Sequence, residues 1–140
     1  MAIMWHNITR KVMCMTENKD RTATLAVIEA TVTECLKVLP KFTAGSSQHS
    51  LLSNRIKALE IAQALLNDAA TSRDYSKEAL QAALAPIQSL LRKSEKAMTH
   101  FKPGHPAYTR LNKLIQAMTL SELTIEEAID NQVTRVFRHH

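Results

Sequence analysis

The sequence predicts an all-α protein, an antiparallel four-helix bundle built from two duplicated helical hairpins, with room for a short extra N-terminal or C-terminal helix. Three observations lead there. The chain has only two glycines and four prolines in 140 residues, too few turn formers for the corners of a sandwich or barrel, and it is rich in Ala, Leu, Lys, Gln and Glu. Its apolar residues recur at helical spacing. The chain also resembles itself at a shift of 59 residues: Phe42 and Gly45 recur as Phe101 and Gly104.

That shift aligns 24–66 with 83–125 and gives nine identities, among them Leu25/Leu84, Ile28/Ile87, Lys37/Lys96, Leu52/Leu111, Ile56/Ile115 and Ala58/Ala117. Taken in chain order, Met4, Ile8, Val12 and Met15 could form a short amphipathic helix outside the repeat, so residues 1–15 read as an accessory segment or tail. Residues 16–140 read as a single helical domain, with hairpin repeats at about 16–74 and about 75–133. A chain of this length buries roughly two-thirds of its unfolded surface on folding, enough for one core.

Within the first repeat, Leu25, Ile28, Val32, Cys35 and Leu39 step by three and four and mark one stripe of a helix. Phe42 follows, expected to plug the end of the bundle, and then Gly45, which suits the positive φ that ends many helices. Ser46 and Ser47 offer an N-cap to the next helix, whose Leu52, Ile56, Leu59 and Leu66 face back onto the first. The second repeat runs in parallel through Leu84, Ile87, Leu91, Ser94 and Met98, then Phe101, Gly104, His105 and Pro106, then Leu111, Ile115, Met118 and Ile125. Two departures stand out. Pro86 replaces Val27 and is expected to kink or restart its helix. Thr119 to Glu122 and Thr124 to Glu127 both resemble capping boxes, so the last helix is expected to break near 120–124, giving four or five helices.

Functional motifs are scarce. With isolated glycines no P-loop, GxSxG or GxGxxG is available, and none of the six histidines (6, 49, 100, 105, 139 and 140) pairs with another at i, i+4. The segment THFKPG around His100 differs from phosphotransfer histidine domains, because Pro103 and Gly104 end the helix where that family continues it. Cys14 and Cys35 form no CxxC, and Cys35 on an apolar stripe reads as a buried free thiol in a reducing cytosol. No catalytic, cofactor-binding or metal-binding residue is assigned, and no enzyme activity is expected. The start lacks the apolar core of a secretory signal, and no run of 18 apolar residues could span a membrane, so a cytoplasmic location is expected.

Charge is the uneven feature. The chain carries net +5, and between positions 92 and 113 lie Arg92, Lys93, Lys96, Lys102, Arg110 and Lys113 against Glu95 alone, with Tyr108 among them. Glu122, Glu126, Glu127 and Asp130 form an acidic patch further on. Together with Arg55 and Lys57, which follow the first corner, these bases are the candidate contact residues. The expected function is a non-enzymatic protein-interaction or regulatory bundle that engages a protein partner or a second copy of itself. The alternative is a nucleic-acid or anion binder using the basic corner between Arg92 and Lys113.

Overall fold

The computed structural model describes residues 21–138, with side chains through Gln132 apart from that of Ala69. The expected N-terminal accessory segment and the terminal His139-His140 lie outside the described residues. Among those residues there are four α-helices and no strand: α1, described over 21–38; α2, Ser47–Asn67; α3, Lys77–Met98; and α4, Pro106–Arg138. A 3-10 turn, Leu39–Lys41, follows α1, and a 3-10 segment, Ala69–Asp74, links α2 to α3. Short connections force consecutive helices antiparallel, and the product is an all-α four-helix bundle.

Each helix starts and stops for a local reason. Ser46 caps α2 by accepting from the His49 amide at 3.2 Å, and Ser76 caps α3 by accepting from the Ala79 amide at 3.1 Å. Pro106 opens α4 as its first residue, and His105 just before it accepts from the Ala107 amide through Nδ1 at 3.0 Å. Asp68 ends α2 in an extended conformation, and its carboxylate accepts from the Ala70 amide at 3.0 Å, so the same residue starts the 3-10 segment.

The two corners share several backbone hydrogen bonds. The Phe42 amide donates to the Leu39 carbonyl at 3.2 Å, and 59 residues later Phe101 donates to Met98 at 3.1 Å. Ser46 donates to Thr43 at 3.0 Å, and His105 to Lys102 at 3.1 Å. Gly45 and Gly104 take φ of +88° and +98°, the left-handed region where a side chain is strained. Both corners lie at one end of the bundle. Phe42 and Phe101 are half-covered there and do not form the sealed plug expected of them; the Phe101 ring sits 5.0 Å from that of His105, on its own corner.

Every residue of the predicted stripes is buried or half-buried. Ile28, Leu59, Ile87, Met118 and Ile125 are sealed from solvent, and with Ala58, Ala62, Leu80, Ala83 and Ala117 they form one core shared by all four helices. Burying a side chain of this size stabilises the fold by about 1.5–3 kcal/mol. α4 packs most closely on α3 and also touches α2 and the 3-10 segment. Near its end Gln132 donates from Nε2 to the Ser72 carbonyl at 2.6 Å and to that of Tyr75, tying the link between the hairpins to the last helix.

Two expectations are corrected. α4 does not break near 120–124 but runs unbroken for 33 residues. Thr119, Ser121 and Thr124 turn their hydroxyls back onto the carbonyls of Ile115, Ala117 and Leu120, at 2.8, 2.8 and 2.7 Å. They satisfy themselves inside the helix instead of capping a new one, and Met118, Ser121 and Ile125 keep the same face in the core. α3 is also continuous through Pro86, so of the kink or restart expected there, the restart does not occur. Pro86 has no N–H for the Ala82 carbonyl, and both residues line an open groove between α2 and α3.

Candidate functional site

The groove beside Pro86 lies between α2 and α3. It encloses about 700 Å³ and is lined from α2 by Leu51, Asn54, Arg55, Lys57, Ala58 and Ile61, and from α3 by Ala79, Ala82, Ala83, Ala85, Pro86, Ser89, Arg92 and Lys93. Its depth follows from residue size. α3 turns alanines, a proline and a serine toward α2, so the two helices leave between them space that larger side chains would fill.

Four of the residues expected from the sequence meet here: Arg55, Lys57, Arg92 and Lys93. Among the described residues, no acidic side chain lines the groove. Lys57, Arg92 and Lys93 are exposed, and Arg55 is half-buried. Lys96, Lys102, Arg110 and Lys113 are exposed at the same end of the bundle but outside the groove, and Tyr108 is half-buried on α4, also outside it. The basic corner is thus divided, and its aromatic is not beside the cations of the groove. Glu122, Glu126, Glu127 and Asp130 lie on α4 toward the opposite end.

Arg55 also reaches inward. Cys35 is buried on α1, and burial pushes its thiol pKa above the ordinary value of 9.0, while the positive charge of the nearby Arg55 guanidinium pulls the other way. Arg55 therefore lines the groove and also acts through its charge on the buried Cys35. Leu51, at the charged end, is 66% exposed, a large apolar side chain left in contact with solvent.

Sequence reasoning missed Leu51, Asn54, Ala82 and Ser89 as lining residues. The signal available was the run of small residues on one face of α3, Ala79, Ala82, Pro86 and Ser89 at steps of three and four. His100, exposed, falls beyond the last residue of α3. Among the described residues, no three His, Cys, Asp or Glu side chains are grouped to hold a metal ion, and no helix is long and apolar enough to cross a membrane. In comparisons with known proteins, no protein-family model, no curated protein and no solved structure matches this chain.

Proposed function

We propose that the protein is a non-enzymatic interaction module, a helical bundle that holds a partner protein in the groove between α2 and α3. The observation that carries this reading is the lining: among the described residues, four cations and no acid around a floor of small and aliphatic side chains. An apolar floor beside an exposed leucine gives an interface its buried centre, and the charged rim gives it register and partner selection. Binding of nucleic acid or another anion is the second reading, and the same cations favour it. It has less support, because among the described residues no aromatic side chain lines the groove to stack a base.

Two further elements belong to the proposal. The chain is a duplicated hairpin, a reading supported by the matching hydrogen bonds and glycine conformations of the two corners. It works in the cytoplasm, a reading supported by the free, buried state of Cys35.

The test is capture by the tagged protein in its native cell, with and without nuclease, beside an Ala82→Trp variant that fills the groove from an exposed helix position. Thermal unfolding shows first that the variant is folded. A stoichiometric protein that survives nuclease and is lost with Ala82→Trp is the expected result. A partner retained by the variant, or material released by nuclease, overturns the reading.

A further inference from the structure

We propose that the groove takes an amphipathic helix whose acidic side chains are gathered at one end, an inference that rests on the interaction reading above. The groove is polarised. Because α2 and α3 run antiparallel, Leu51 and Arg55 near the start of α2 lie level with Ser89, Arg92 and Lys93 near the end of α3. Lys57 follows two residues after Arg55, about half a turn on. Beyond it the lining, Ile61 with Ala79, Ala82 and Ala83, carries no charge. An occupant spread evenly with carboxylates would leave some of them over that uncharged floor, desolvated and unpaired. One with carboxylates at a single end sets them against Arg55, Arg92 and Lys93 and leaves its apolar stripe for the rest.

The walls select a helix over an extended segment. Both sides of the groove are helices whose backbone groups are bonded within themselves, so an extended peptide would find no edge to pair with, whereas a helix brings its own backbone bonds satisfied. From Leu51 to Ile61 the floor runs ten residues along α2, or roughly 15 Å, about three turns of the occupant.

Segments of this chain are poorer matches. Residues 1–20 contain Arg10, Lys11 and Lys19 against Glu17 and Asp20, a net +1 that does not complement the groove. The acids of α4 sit on a helix already packed against α2 and α3 in its own bundle.

The experiment is selection from a displayed library of random helix-forming peptides on the full chain, with Ala82→Trp as the counter-selecting protein. Enriched peptides should carry small or aliphatic residues at i, i+3, i+4 and i+7 and acidic residues within one terminal third. Affinity should fall at least about tenfold in the Arg92→Glu/Lys93→Glu protein, and by less than about threefold in a Lys41→Glu/Lys77→Glu protein with the same change of net charge. Peptides that discriminate against Ala82→Trp but carry no clustered acids overturn this inference and leave the interaction reading standing. If no peptide discriminates against Ala82→Trp, both fail. A uridine oligonucleotide held more tightly than any selected peptide, through Arg92 and Lys93, assigns the groove to nucleic acid. A concentration-dependent dimer abolished by reversing the same two residues assigns it to a second copy. Either result overturns the proposal.

Discussion

At positions 59 residues apart, Ile28 and Ile87, Ala58 and Ala117, and Leu59 and Met118 are sealed from solvent to the same degree, while the four cations of the groove have no counterparts. Arg55 and Lys57 correspond to Leu114 and Gln116; Arg92 and Lys93 correspond to Thr33 and Glu34. Arg110 and Lys113 do appear in the counterpart seam, at the places of Leu51 and Asn54, but with Glu34 among them. The contrast separates what closure of the bundle requires from what it leaves free. The interior positions must interlock at crystal-like density, which constrains both hairpins alike. The seam positions tolerate Leu, Gln, Thr and Glu in one place and four cations in the other, so the groove's charge is not a by-product of the fold.

The largest expected effect probes the shared core. Leu59→Ala and Met118→Ala each remove a fully buried side chain from corresponding sites, and each should cost about 3 kcal/mol, within a range of about 2–5, in urea unfolding. Similar costs mean that the two hairpins bear on the core alike. A Met118→Ala cost below about 1 kcal/mol breaks that equivalence and marks the second hairpin as the looser one.

The corners come next. Neither Gly45 nor Gly104 has an atom within 4 Å of where a Cβ would stand, so an alanine there meets no clash and its cost is conformational only. Gly45→Ala and Gly104→Ala should each lose about 1–2 kcal/mol, and an asparagine should recover part of that loss. Unequal losses at sites with matching φ would show that one corner relaxes where the other cannot.

These corners were legible in the sequence because they are local: a glycine behind a phenylalanine, then a serine or His-Pro pair, specifies the turn within six residues. The stripes were legible because periodicity alone places a residue on a helix face. The continuity of α4 was not, since a Thr or Ser hydroxyl can cap a new helix or bond back four residues, and packing around Met118 and Ile125 decides between the two. Nor was the meeting of Arg55 with Arg92. They stand 37 residues apart in sequence and share a groove only because the helices that carry them are antiparallel and α3 presents small side chains there.

The smallest expected effect lies where the two hairpins place different atoms at corresponding buried positions. Cys35 corresponds to Ser94, whose hydroxyl donates to the Leu90 carbonyl at 2.8 Å. In a Cys35→Ser protein the new hydroxyl can take the corresponding carbonyl of Thr31, so the change in stability at neutral pH should stay under about 1 kcal/mol. The difference should appear in alkali. Burial holds the Cys35 pKa above its ordinary 9.0, so well below that pH the thiol is neutral in both states and contributes no pH dependence. As pH rises past about 9, the unfolded chain releases a proton that the folded chain keeps, which favours unfolding until the folded thiol also ionises. Wild type should therefore lose more stability than Cys35→Ser between about pH 8.5 and 10. Parallel curves would mean that the thiol is in effect as well solvated as a free one, and that Arg55, reaching in from the groove, offsets the whole cost of its burial.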